Sequence, residues 1–178
     1  MDKEAIAKFK REFEERERLK APYERALGKL SIRYSLLHTL VEEFSWRIWG
    51  LNSDLGTILT KDLPMKQLLK KLRDSARLFL AEESAGKDLI AIFKKVEDVA
   101  DRRNEFLHSI WFIDEGKPIF ISRKRGQLLD EKAPTAEDIN DLSREIMNLV
   151  TDFMEIKDGK SLETRLREGM MVGLNPTS

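Results

Sequence analysis

Arg103, Asn104 and His108 fall within six consecutive residues of a 178-residue chain that has only two His and no Cys. Their side chains suit phosphate chemistry. Arg offers a rigid fork of donors to phosphate oxygens, Asn can orient a hydroxyl or a ring nitrogen, and His titrates near neutrality as a general acid or base. On RNA, this set would promote attack of a 2′-hydroxyl on the adjacent phosphate. His108 would move protons, and Arg103 would stabilise the charge that builds on the phosphorane. The reaction needs neither metal nor cofactor. One His serves poorly as both acid and base, so the mechanism itself favours a two-fold dimer that brings two copies of this stretch together.

The position of Arg103 is as unusual as its neighbours. An apolar stripe at helical spacing runs through Val96, Val99, Ala100 and Leu107, and at about 100° per residue it passes over Arg103. A permanent charge in a core register is costly unless it is paired or lines a polar cavity. Asn104 and His108, four apart, share a face. The plainer alternative is that Arg103 pairs with Asp101, Glu105 or a carboxylate of another helix, while His108 ends the helix, where a cation suits the dipole. Arg102 and the run Arg123-Lys124-Arg125, with Lys94-Lys95, would extend a phosphate-binding surface, against the alternative of an ordinary solvated run. His38 flanks an apolar seam and reads as an interior or interface His. Trp46 and Trp49 read as core rather than as base-stacking platforms. Glu97 and Asp101, four apart, are too common a pattern to assign to Mg²⁺, and no metal site is expected.

The motif Arg103-Asn104-xxx-His108, near the end of a helix and followed by Ser-Ile-Trp-Phe, resembles the Arg, polar, then His motif of the HEPN superfamily of α-helical domains. The resemblance spans about Tyr23 to Phe153, but only the motif is specific. Many members are metal-independent ribonucleases. The resemblance implies that Arg103 and His108 are catalytic, that Asn104 assists, and that the site lies in a cleft at a dimer interface. Ser109 departs from the Gly that often follows the His. Other members bind nucleotides or partner proteins without cleaving RNA, so a non-catalytic regulatory module stays open beside the endoribonuclease, as does a purely structural interaction domain.

The elements that must hold this motif are mostly helical. Charged residues make up 36% of the chain and apolar ones 41%, with few Gly and Pro, a balance that favours long solvent-faced helices. We expect a single all-α domain over 1–178, an up-and-down bundle of four to five helices with a small β-hairpin inserted after the fourth. Residues 1–20 form a narrow amphipathic helix with Ile6, Phe9 and Phe13 on one side, which needs the body or a second subunit to cover it. Pro22 opens the next helix, whose seam runs through Leu27, Leu30, Tyr34, Leu37, Val41, Phe44 and Ile48, widened by Leu36 and Leu40. Together 22–158 make the bundle core. Residues 50–63 read as a loop with one short turn, and Pro64 opens a third helix. A fourth follows Ser84-Ala85-Gly86, and its stripe continues through Leu107 and Ile110. The hairpin occupies about 110–123. Pro134-Thr135 followed by Asp138 forms a capping box that starts the fifth helix, and 160–178 reads as a short helix and tail.

Equal numbers of acidic and basic residues, 32 each, argue against a general nucleic-acid or membrane coat, and DNA binding is not expected. Thirteen of the first twenty residues are charged, which fits no leader peptide and suggests a cytoplasmic protein. The expected partners are RNA or a nucleotide, a second copy of the chain and, for a nuclease of the toxin or defence type, a protein inhibitor.

Overall fold

The computed structural model describes residues 3–80, 84–114, 117–124, 127–131 and 133–158. Five helices, α1 (Lys3–Ile48), α2 (Ser53–Thr60), α3 (Met65–Leu80), α4 (Ser84–His108) and α5 (Ala136–Asp158), carry an all-α fold. Strands β1 (Ile110–Asp114), β2 (Lys117–Lys124) and β3 (Gln127–Glu131) follow the fourth helix. The hairpin falls where the apolar runs place it, and β3 adds a third antiparallel strand beyond the two expected.

Three boundaries differ from expectation, the smallest being the start of α4, which includes Ser84, Ala85 and Gly86 instead of following them. Pro22 does not begin a helix; it lies inside α1, which is continuous over 46 residues. Proline removes one backbone donor and crowds the preceding turn, a cost of about 3 kcal/mol in a helix interior. Downstream, Ala26, Leu30, Tyr34, Leu37, Val41, Phe44 and Ile48 are all buried along one face of the same helix. That seam would be buried equally by a helix starting at Pro22; what spans the proline is packing on both sides of it, since Lys20 before it and Tyr23, Glu24 and Leu27 after it line one cleft with Trp111. The second difference is α2, a two-turn helix in the segment expected to be loop. Asn52 caps it by accepting from the Leu55 amide at 2.9 Å. Between α1 and α2, the Leu51 amide reaches back to the Trp46 carbonyl and the Gly50 amide to that of Arg47, with Gly50 at φ +66°. That pattern is a Schellman termination, which requires the left-handed conformation glycine adopts freely.

The chain divides into two compact units. One comprises the described residues of Met1–Ile32 and Asp101–Arg144, the other those of Arg33–Ala100 and Glu145–Ser178. In the second unit, Phe44 of α1, Phe93 of α4 and Phe153 of α5 form a ring cluster, with centroids 6.2 Å (Phe44–Phe93), 5.6 Å (Phe44–Phe153) and 6.4 Å (Phe93–Phe153) apart. Leu68, Leu69 and Leu72 of α3 are fully buried. Trp46 and Trp49 belong to this packing: their indole N–H groups donate to Thr60 Oγ1 at 2.8 Å and Ser75 Oγ at 3.1 Å. Leu40 is buried as expected, whereas Leu36 is exposed.

The first unit contains the sheet and the last two turns of α4. Trp111 and Ile113 of β1 point inward while Ile110, Phe112 and Asp114 face out, the period-two pattern of a half-covered strand. α4 ends at His108, so Ile110 is not on its stripe; it opens β1 and is half exposed. Tyr23 packs on Trp111 at 5.5 Å, Trp111 on Phe120 at 4.7 Å and Phe120 on Phe106 at 6.5 Å. This row of rings ties α1, the sheet and the end of α4 together. The expected capping box of α5 is present: the Asp138 amide donates to Thr135 Oγ1 at 3.1 Å and the Thr135 amide to Asp138 Oδ2 at 2.7 Å. Residues 160–178 lie outside the described residues.

Candidate functional site

The final turns of α4 deliver Arg102, Arg103, Asn104 and His108 to one helix end. What fixes this end is local. Trp111 Nε1 donates to the Phe106 carbonyl at 2.8 Å, and Ser109 Oγ donates to the Glu105 carbonyl. Two of the last carbonyls of α4, which have no partner within the helix, are thereby satisfied by the residues that turn the chain into β1. The Phe106–Phe120 and Trp111–Phe120 contacts then hold that turn against the sheet.

On this fixed end, Arg103 is half-buried, whereas its stripe neighbours Val96 and Val99 are fully buried. Its Nη1 donates to Asn104 Oδ1 at 3.0 Å, and its Nε is buried. The expected core register is thus kept as far as Nε, while Nη1 bonds the exposed Asn104. Asn104 is exposed and accepts through Oδ1, and its amide N–H₂ is a donor group. His108 is exposed and is the last helical residue, one turn beyond Asn104 and on nearly the same face. Arg103 and His108 lie about 140° apart around the helix, with Asn104 between them. The structure thus joins Arg103 to Asn104 directly and sets His108 beside Asn104. Arg102 is exposed.

The sheet register places part of the basic run at the same end of the unit. Ile121 of β2 pairs with Ile110, the first residue of β1, so Arg123 and Lys124 extend β2 past the point where the chain leaves α4. Their backbone partners are Leu128 and Gln127 of β3. Arg125 lies outside the described residues. Lys94 and Lys95 are exposed on α4.

The remaining candidates have structural partners. Glu97 accepts from Arg73 Nη1 at 2.6 Å and Nη2 at 3.4 Å, with Lys66 Nζ 4.0 Å away. The Arg73 hydrogen bond holds its carboxyl below the usual range, against a smaller opposing effect of burial and with help from the charges of Arg73 and Lys66. Glu97 therefore braces α3 against α4 and does not orient the motif. Among the described residues, no group of three His, Asp or Glu side chains is placed to hold a metal ion. His38 is half-buried, 3.5 Å from Glu42 and beside the Tyr34 ring, as an interior His at the edge of the seam should be.

Sequence reasoning missed one feature. A cleft of about 100 Å³ is lined by Lys20, Tyr23, Glu24, Leu27, Trp111, Phe112, Ile113 and Pro118. The signal was present in Lys20 with Glu24 and Tyr23 with Leu27, two four-residue spacings on one side of α1, but the assumed break at Pro22 obscured it. No helix among the described residues is long and apolar enough to cross a membrane. Comparison with known proteins gives no match: no family model, no curated protein and no solved structure aligns significantly with the chain.

Proposed function

We propose that the chain is a metal-independent endoribonuclease of HEPN type. The observation that carries this reading is the half-buried Arg103 held against Asn104, with the exposed His108 one turn further on. Arg103 binds and stabilises the pentacoordinate phosphate, Asn104 positions the phosphate or the 2′-hydroxyl through its amide N–H₂, and His108 transfers the proton. Arg102 and the Arg123–Arg125 run steer the RNA backbone, and the zero net charge keeps that attraction local. A second copy supplies the second His, and a protein inhibitor would hold such a nuclease silent in the cytoplasm.

The test is incubation of purified protein with mixed RNA in excess EDTA. Cleavage that vanishes in His108→Ala, with an unchanged circular dichroism spectrum, is the expected result. Absence of cleavage across several RNA classes would overturn it. The internal Arg103–Asn104 hydrogen bond also suits a non-catalytic nucleotide-binding module. Nucleotide-dependent stabilisation without turnover, reduced in Arg103→Ala, would favour that second reading.

A further inference from the structure

The first five turns of α1 carry an apolar stripe that the described residues leave uncovered. Phe9 is 67% exposed and Phe13 55%, and their rings stack at 6.4 Å on one side of the helix, next to Ile6. Two stacked rings exposed on one helix face form an apolar patch that association would remove from water. The charges around them identify the occupant. Residues 3–11 contain four basic side chains and one acidic, whereas 12–19 contain four acidic and two basic. The segment is therefore complementary to itself when reversed.

We infer that residues 3–19 of α1 pair with the same segment of a second copy, antiparallel. In heptad terms Ile6, Phe9 and Phe13 form the seam, Lys3, Lys10 and Glu17 flank it on one side, and Ala5, Glu12 and Leu19 on the other. With the two-fold axis near residue 11, Phe9 of each copy meets Phe13 of its mate, giving a core of four rings. Lys3 then faces Glu17 of the mate at both ends. The Arg16 stem covers Ile6 of the mate. Lys10 and Glu12 each meet their own equivalents at the axis, where they oppose association. A parallel pair would lack the Lys3–Glu17 contacts and would set Glu12 against Glu17 twice, so the charges select the antiparallel arrangement. Lys3, Lys10, Glu12 and Glu17 are all exposed; Glu17 accepts from Lys20 at 3.0 Å within the chain and would share its carboxylate with Lys3 of the mate.

The area sets the strength. An aromatic side chain buries about 150–250 Å², so the exposed parts of four Phe rings amount to roughly 500 Å². Stable interfaces bury about 1,200–2,000 Å². The aliphatic stems of the flanking residues must supply the remainder, so the pairing is a weak one. It does not depend on the nuclease reading, because none of these residues belongs to the α4 motif.

Sedimentation equilibrium across micromolar concentrations should show self-association, and Phe9→Glu with Phe13→Glu should weaken it whether or not the α4 motifs also meet. Direction is read by disulfide trapping, since the chain has no Cys of its own. Lys3→Cys mixed with Glu17→Cys should yield a cross-linked heterodimer, while neither variant should cross-link with itself. A monomer at all concentrations, a dimer indifferent to the two Phe substitutions, or self-cross-linking of each single Cys variant would overturn the inference.

Discussion

The same substitution, glycine to alanine, should have opposite effects at two helical positions. Gly56 sits in α2 beneath the Trp46 indole, and a Cβ there would lie 2.5 Å from Cδ2 and 2.7 Å from Cδ1 of that ring, and nearer still to Cγ. Real Cβ atoms do not approach so closely, so the indole must move. Trp46 is held on its other edge by the 2.8 Å hydrogen bond to Thr60 Oγ1, and Thr60 is fully buried. Overpacking a filled site costs about 1–3 kcal/mol, and losing the hydrogen bond costs about 1 kcal/mol more. Alanine's better helix propensity returns about 0.8–1.0 kcal/mol. Gly56→Ala should therefore destabilise by about 1–3 kcal/mol. Gly28 lies in the middle of α1, and a methyl group there would meet nothing within 4 Å, so Gly28→Ala should stabilise by the propensity gain alone, about 0.5–1 kcal/mol. Urea unfolding followed by far-UV circular dichroism measures both. The Gly56 variant should also show altered Trp fluorescence. A neutral or stabilised Gly56→Ala would refute the close packing of Trp46 on α2, and a destabilised Gly28→Ala would refute the open surface assigned to that turn.

Two further outcomes follow from local geometry. The folded-state pKa of Glu97 is depressed, so its contribution to stability is present above the ordinary carboxylate range, about 4.3, and is lost as pH falls through the lower folded value. Glu97→Gln should accordingly lose stability at pH 7 and show a shallower acid dependence below about pH 4.3, measured by urea midpoints across pH. Equal acid slopes in the two proteins would contradict the Arg73 bridge. Thr135→Ala removes the side-chain acceptor of the Asp138 amide and should destabilise by about 1 kcal/mol, whereas Thr135→Ser should retain most of that stability in thermal unfolding.

The sequence shows most of the fold where a pattern is local. The seam of α1, the face of α3, the hairpin and the α5 capping box are each written in residues close together, and each is found where the pattern places it. The misreadings occur where distant residues decide. Pro22 is a local breaker, yet residues on both sides of it, Lys20 before and Tyr23 and Leu27 after, pack beside Trp111 of the sheet. The segment 53–60 looks like a loop because Gly56 and small polar residues weaken it as a helix, yet that glycine is what lets Trp46 pack there. Strand β3, Gln-Leu-Leu-Asp-Glu, has no alternation to announce it; it exists through pairing with β2. At the site, Arg103, Asn104 and His108 are legible because one helix carries all three. The approach of Arg123 and Lys124 to the same end depends on strand register, and the cleft beside Trp111 on residues from α1 and the sheet, so neither is written in any single stretch.

The proposed chemistry is transfer of a phosphoryl group from one RNA oxygen to another by His108, Asn104 and Arg103, without a metal. Its products identify it. A defined RNA oligonucleotide incubated in EDTA with the wild type, Arg103→Ala or His108→Ala can be read by mass spectrometry for the ends that cleavage leaves. The wild type should leave a 2′,3′-cyclic phosphate and a 5′-hydroxyl, with each variant slowed by about 100-fold or more. An intact oligonucleotide, products ending in a 3′-hydroxyl, or cleavage unchanged in the two variants would contradict it.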